Sequence, residues 1–272
     1  MKQRVISAAV AIVIAVIILL LHNTFVFELA IAFLAVVALM ELFKATKLDK
    51  YIVQTGICYA YAVLLCMGHI FDVSAKIAFS SVVFFLFIIA MLVSFFRDYE
   101  KIKYVKMMMF LAFGTFIPAS FETLLKMNHM KYGMFMIVLT LCGAWLADSG
   151  AYFAGTFFGK TKLCPTISPK KTVEGLVGGV VTNGVLMIII GLVYDFALKG
   201  PSLNYIMLFV SGMLCALVGL VGDLSASLIK RQTGIKDYGN IMPGHGGVMD
   251  RFDSVILVAP FMYYVFSMGM IL

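Results

Sequence analysis

At 272 residues, 62% hydrophobic and only 13% charged, the chain has more apolar surface than a single water-soluble core of that length encloses, which excludes an ordinary soluble domain. The formal charge of +7 sits in short Lys and Arg clusters between apolar runs, so it reads as an orientation signal and argues against a nucleic-acid partner. With about 20 residues needed per membrane span, the length leaves room for many helices, short loops and no sizeable soluble domain.

The start, Met1-Lys2-Gln3-Arg4 before the apolar run from Val5 to Leu21, imitates a signal peptide, but no small-residue cleavage site follows and an uncleaved first helix is expected. Reading apolar runs against polar breaks predicts spans at 5–21, 25–43, 52–71, 77–96, 105–125, 132–158, 173–198, 203–229 and 253–271. The expected fold is therefore all-α: a polytopic integral membrane protein of about nine transmembrane helices forming one membrane domain over 1–272. A cytosolic amino terminus collects Lys44, Lys47, Lys50, Arg97, Lys101, Lys103, Lys106, Lys160, Lys162, Lys170, Lys171, Lys230, Arg231, Lys236 and Arg251 inside. Only Lys76, Lys126, Lys131 and Lys199 remain outside, and the carboxyl terminus then faces outward. Five cysteines, mostly within apolar segments and without C-x-x-C spacing, suggest neither a disulfide framework nor a zinc site. No internal repeat is visible. Residues 1–130 read as an apolar scaffold, whereas 131–272 carry catalytic spans and polar cytosolic loops.

The first polar region runs from Trp145 and Asp148 through Ala151, Tyr152, Gly155, Gly159 and Lys160 to Ser168-Pro169-Lys170-Lys171-Thr172-Val173-Glu174-Gly175. Asp148 lies in an apolar helix about three turns from its cytosolic end, where a carboxylate needs a cation, a partner or water; the plainer role is a hydrogen bond between helices. Ser168 to Thr172 resembles a helix start, with Thr172 as N-cap and Gly175 at N3, an end that attracts phosphate when two lysines stand beside it. A lysine pair there is also a common topology anchor.

The second region reads Gly222-Asp223-Leu224-Ser225-Ala226-Ser227-Leu228-Ile229-Lys230-Arg231, then Lys236-Asp237, then Pro243-Gly244-His245-Gly246-Gly247-Val248-Met249-Asp250-Arg251-Phe252-Asp253. On a helix Asp223, Ser227 and Lys230 share a face. The glycines around His245 let backbone approach a ligand closely, and the carboxylates Asp250 and Asp253 with Asp223 suit Mg²⁺ bridging protein to phosphate, while Lys and Arg neutralise the remaining oxygens. Taken singly, Lys230 and Arg231 are an orientation cluster, His245 a loop histidine and the glycines turn residues. Those readings leave unexplained why acids, bases and glycines crowd one short stretch. Glu28 and Glu41 read equally well as helix-end, packing or functional residues. The run Met107 to Met109 and the Phe-rich fourth span read as lipid-facing or core. His22, His69 and His129 lack ligand spacing and are assigned no metal.

From Ser227 to Asp253 the chain resembles the phosphatidate cytidylyltransferases, or CDP-diacylglycerol synthases, whose signature S-x-x-K-R-x4-K-D-x-G followed by P-x-H-G-G-x-x-D-R-x-D is present in register; Met242 stands where the family usually has another aliphatic residue. The upstream W-x-x-D-x-x-A-Y-x-x-G and S-P-K-K-T-x-E-G elements are similar to the family's, so the resemblance covers roughly residues 140–255, and spans one to five match only in being apolar. It implies an enzyme in which the phosphate of phosphatidic acid attacks the α-phosphorus of CTP, giving CDP-diacylglycerol and pyrophosphate with Mg²⁺ assistance, in a homodimer within a bilayer.

On this reading Asp223, Asp250, Lys230, Arg231, His245 and Arg251 are the expected catalytic residues, with His245 donating to the leaving group. Ser168, Lys170, Lys171, Thr172, Ser227, Lys236, Gly246 and Gly247 are expected to bind substrate. Asp223, Asp250, Asp148 and Asp253 are expected to hold Mg²⁺, a second cation being left open. The expected location is a bacterial inner (plasma) membrane with the site facing the cytosol. Two alternatives stand beside it: a CTP-dependent transferase acting on an isoprenoid lipid, and a cation-coupled transporter using Asp148, Asp223 and Glu41. Against the transporter, spans six to eight turn apolar outward of the acids.

Overall fold

The computed structural model describes residues 2–70, 73–198, 202–242, 244 and 246–271; Lys199 and His245 lie outside the described residues. Ten α-helices follow in order: α1 (Lys2–Leu20), α2 (Phe25–Ala45), α3 (Ile52–Met67), α4 (Val73–Arg97), α5 (Tyr104–Asn128), α6 (Gly133–Phe158), α7 (Val173–Leu198), α8 (Tyr205–Thr233), α9 (Met249–Phe252) and α10 (Val255–Ser267). Six of the predicted apolar runs fall on the long helices α2 and α4 to α8, and the other three on shorter apolar helices. By length and composition six helices among the described residues are able to cross a membrane, lying in α2 and α4 to α8, while the apolar helices at Ala9–Leu20, Ile52–Met67 and Val255–Ser267 are shorter. The protein is thus a mostly helical, integral membrane type of fold.

The helix entry expected at Thr172 is present, and the residues before the cap add a feature the sequence did not show: Ser168–Thr172 forms a strand, β2, paired antiparallel with β1 (Lys162–Cys164) in the register Lys162 with Thr172 and Cys164 with Ser168. Pro169 has no N–H and cannot continue a ladder, and the pairing is irregular between Lys162 and Cys164. The hairpin therefore stays short, and the helix starts one residue after it. α8 runs further than the apolar run did, through Lys230 and Arg231, because nothing breaks it before Gly234, whose φ of +72° is the left-handed conformation of a helix stop. Basic residues in that last turn complement the helix dipole.

The chain divides into two compact units, 1–126 with 233–251, and 127–232 with 252–272. In the first, α2 packs on α3 and α3 on α4. Tyr61 stacks on Phe87 at 4.4 Å and Phe43 meets Phe110 edge-on at 5.3 Å, while Phe85 and Phe96 of α4 point outward, so that span is both core and lipid-facing. Buried His69 has a partner sequence spacing did not reveal: its Nε2 lies 3.3 Å from Glu122, which also accepts from Lys126 at 2.7 Å.

In the second unit α6 and α7 are the most intimately packed pair. A Cβ at Gly150 would touch Thr182, at Gly178 Ala154, at Gly179 Ala151 and at Gly175 Gly155, a pairing that runs antiparallel. Small residues let two backbones approach where no hydrophobic effect drives spans together. Fully buried Asn183 then ties three helices, its Nδ2 donating to the Gly143 carbonyl of α6 at 2.9 Å and the Gly212 carbonyl of α8 at 2.8 Å. Asn183→Ala should destabilise the protein by about 1–2 kcal/mol, measured by thermal unfolding in detergent.

Candidate active site

Within the second unit, the close crossing of α6 and α7 opens toward the hairpin into a cavity of about 450 Å³, lined by Asp148, Tyr152 and Thr156 of α6, Lys162 of β1, Lys170, Lys171 and Thr172 of β2, and the glycine seam below. Its floor is apolar and its mouth cationic. Thr172 is the N-cap of α7 as its position predicted, its Oγ1 accepting the Gly175 N–H at 3.1 Å. The same hydroxyl is packed where Cβ atoms of Gly155, Gly159 and Gly175 would otherwise be, so it fixes the cavity wall as well as the helix.

Glu174, which sequence reasoning quoted without giving it work, accepts the backbone N–H groups of Lys160 and Thr161 at 3.1 Å. It thereby joins the exit of α6 to the entry of α7, and backbone hydrogen bonds hold its carboxylate at the helix start, where a negative charge is favoured. The signal was legible: an acid in the first turn after a cap.

Lys171 lies at the centre of the charges. Its Nζ pairs closely with Asp223 of α8 and stands 3.9 Å from Asp148 of α6. Asp223 and Ser227 share a face as expected, the Ser227 hydroxyl donating to Asp223 at 3.4 Å. Asp253 follows in the turn before α10, its Oδ1 accepting the Ser254 N–H at 2.7 Å. Asp148 of α6 and Asp223 of α8 are thus attended by the same lysine, Lys171 of β2. Among the described residues no three His, Cys, Asp or Glu side chains stand in ligating geometry.

Arg231 also acts locally, its Nε donating to the Ile167 carbonyl at 3.1 Å and so holding the hairpin turn against α8. Lys170 is exposed at the cavity mouth, and Ser168 starts β2 opposite Cys164 without lining the cavity.

The remaining predicted site residues, Lys236, Gly246, Gly247, Asp250 and Arg251, belong to the first unit. Lys236 and Arg251 are exposed. Asp250 is engaged by its own loop: Oδ2 accepts the Tyr238 N–H at 2.8 Å and the Gly247 N–H at 3.0 Å. Gly246 has φ +87°, and a Cβ there would stand 2.7 Å from that oxygen, so the close approach demanded here is to the protein's own carboxylate.

Cations and carboxylates gathered around a helix start, over an apolar cavity and among membrane-length helices, are the makings of a membrane protein that handles a phosphate-bearing ligand. The chain belongs to the cytidylyltransferase family, whose model matches residues 2–268. It is 30% identical to the phosphatidate cytidylyltransferase of Haemophilus influenzae over 284 residues, covering 98% of each chain. The proteins of that name from Bacillus subtilis and Staphylococcus haemolyticus are each 32% identical, with 98% and 96% of both chains covered.

Proposed function

We propose that this protein transfers the cytidylyl group of CTP to the phosphate of phosphatidic acid, forming CDP-diacylglycerol and pyrophosphate. The observation that carries this reading is the Lys171 cluster at the mouth of an apolar cavity, in a chain whose relatives over nearly their full length are named for that reaction. Relatives named for phosphatidate favour neither an isoprenoid substrate nor a transporter.

In the step, an oxygen of the lipid phosphate bonds to the α-phosphorus of CTP while the bond from that phosphorus to the bridging oxygen of the β-phosphate breaks, the electron pair leaving with pyrophosphate. A phosphate monoester, with a second pKa of about 6, is largely dianionic at neutral pH, so no strong base has to remove a proton. Positioning and charge neutralisation carry the rate. Lys162, Lys170 and Lys171 neutralise phosphate oxygens, and the positive end of the α7 dipole adds to their field. Asp223 holds Lys171, and Arg231 holds the hairpin that carries all three lysines. The apolar seam accepts the glycerol end of the lipid, whose tails stay in hydrocarbon because removing them costs about 0.8 kcal/mol per CH₂.

Oxygen donors with no thiol or imidazole fit a hard divalent cation. Asp148 and Asp223, which share Lys171 as a partner, would hold Mg²⁺, which supplies further charge neutralisation when bound. In this proposal the chain crosses a bacterial plasma membrane nine times, with the amino terminus and site cytosolic and the carboxyl terminus outside, and it works as a homodimer. The one-sided basic loops and the bacterial relatives support the orientation and the membrane.

The test uses purified protein, radiolabelled CTP, phosphatidic acid and Mg²⁺. Label should enter the lipid extract, chelation by EDTA should stop it, and Mg²⁺ should restore it. Incorporation with an isoprenoid phosphate but none with phosphatidic acid would overturn the substrate, and incorporation with no lipid would overturn the reaction.

A further inference from the structure

Glu41 stands four residues before the end of the apolar helix α2 and is 6% exposed, an expensive place for a carboxylate unless it is satisfied. Its two oxygens are satisfied by a segment more than two hundred residues away. Oε1 accepts the Val248 N–H at 3.1 Å and Oε2 the Met249 N–H at 2.8 Å. Both amides belong to the stretch that enters α9, and all these residues lie in the first unit.

The loop is shaped around this carboxylate. A Cβ added to Gly247 would fall on the Glu41 carboxylate, and one added to Gly239 would lie 2.8 Å from its Cδ and closer still to Oε1. Gly247 is held on its other side, donating its N–H to Asp250 at 3.0 Å, and Asp250 also accepts from Tyr238 at 2.8 Å. Two carboxylates, one from the loop and one from α2, therefore bind four backbone N–H groups of the same short segment. Charge-assisted hydrogen bonds of this kind are stronger than neutral ones and set geometry at both ends.

We infer that Glu41 is a positioning residue for the 238–251 loop, holding Asp250 and Arg251 in the arrangement that cytidylyl transfer uses. It touches no substrate and acts through the Val248 and Met249 amides. A carboxylate is required because both partners are donors, and a Gln would turn an N–H₂ group toward one of them. The inference rests on the loop serving the proposed reaction, and its test separates the two.

The experiment compares wild type, Glu41→Ala, Glu41→Gln, Gly239→Ala, the Glu41→Ala/Gly239→Ala pair and the control Glu28→Gln from the same helix, all as full-length purified protein. Hydrogen exchange and steady-state transfer from CTP to phosphatidic acid are both measured. Glu41→Ala should speed exchange across residues 238–250 at least about tenfold while the spans keep their protection, and lower kcat by roughly 10- to 100-fold with KM for CTP changed far less. Glu41→Gln should fall between, and Glu28→Gln should match wild type. Gly239→Ala should lower kcat about tenfold alone yet add less than about twofold to Glu41→Ala, because the colliding carboxylate is gone. Unchanged exchange in the loop, or exchange raised equally throughout the protein, overturns the inference, as does full additivity of the pair. If wild type transfers no cytidylyl group but Glu41→Ala still frees the loop alone, the bracing stands and the proposed reaction falls.

Discussion

Asp223→Asn should lower incorporation of labelled CTP into lipid by about 10²- to 10³-fold, the scale on which removal of a preorganised charge acts. Asn keeps the shape and can still accept the Ser227 hydroxyl, so the loss isolates charge. Asp223 holds Lys171, and the proposed reaction gives it a second task as a holder of a divalent cation. Lys171→Met separates them. If Asp223 only anchors the lysine, the two single variants and the double variant should be equally impaired, because residues acting as a unit are not additive. If it also serves Mg²⁺, Asp223→Asn should be the more severe, the double variant should equal it, and the Mg²⁺ concentration for half-maximal rate should rise only where Asp223 is missing. Equal loss with unchanged Mg²⁺ dependence would remove Asp223 from the cation site. Near-normal activity of Asp223→Asn would remove the whole cluster from catalysis.

Gly222→Ala, the addition of one methyl group beside Asp223, is expected to lower both stability and activity. The new Cβ would fall on the Asp253 carbonyl oxygen and stand 3.2 Å from the Ser254 Cα, so it meets backbone and no side chain is able to swing aside. α8 must move away from the turn that carries Asp253, at a cost of about 1–3 kcal/mol typical of overpacking, and with it Asp223 moves relative to its neighbours. Gly219, one turn earlier on the same helix, provides the control. A Cβ there would lie at 3.5 Å from Ser254 and Val258, ordinary contact, and Gly219→Ala should unfold and turn over like wild type. Thermal unfolding and the CTP assay read both variants. Equal behaviour of the two would mean that the crossing of α8 with the turn before α10 is looser than described.

Much of the fold was legible because helices in lipid are dictated by local chemistry: every backbone group must be satisfied within its own segment, so apolar runs and polar breaks mark the helices directly. Local geometry was equally legible where a single element decides it, as with Thr172 capping α7 three residues before Gly175, or Asp223 and Ser227 one turn apart. The β1–β2 hairpin escaped because Ser168-Pro169-Lys170-Lys171-Thr172 shows its helix entry through Thr172, whereas the strand that leads into the cap exists only through pairing with Lys162–Cys164. Family resemblance pointed to Lys171 and Asp223 without showing that they form an ion pair.

By itself, the sequence determined that this is a helical membrane protein, where its helices run, and which residues carry charge able to meet phosphate. Which charge meets which was decided by tertiary structure alone. Asp223 finds Lys171 from a different element, Glu41 finds Val248 and Met249 across most of the chain, and Gly246 and Gly247 are shaped to the protein's own carboxylates. The physical reason is that hydrogen bonds and ion pairs act over a few ångströms in space, while a sequence records neighbours only along the chain.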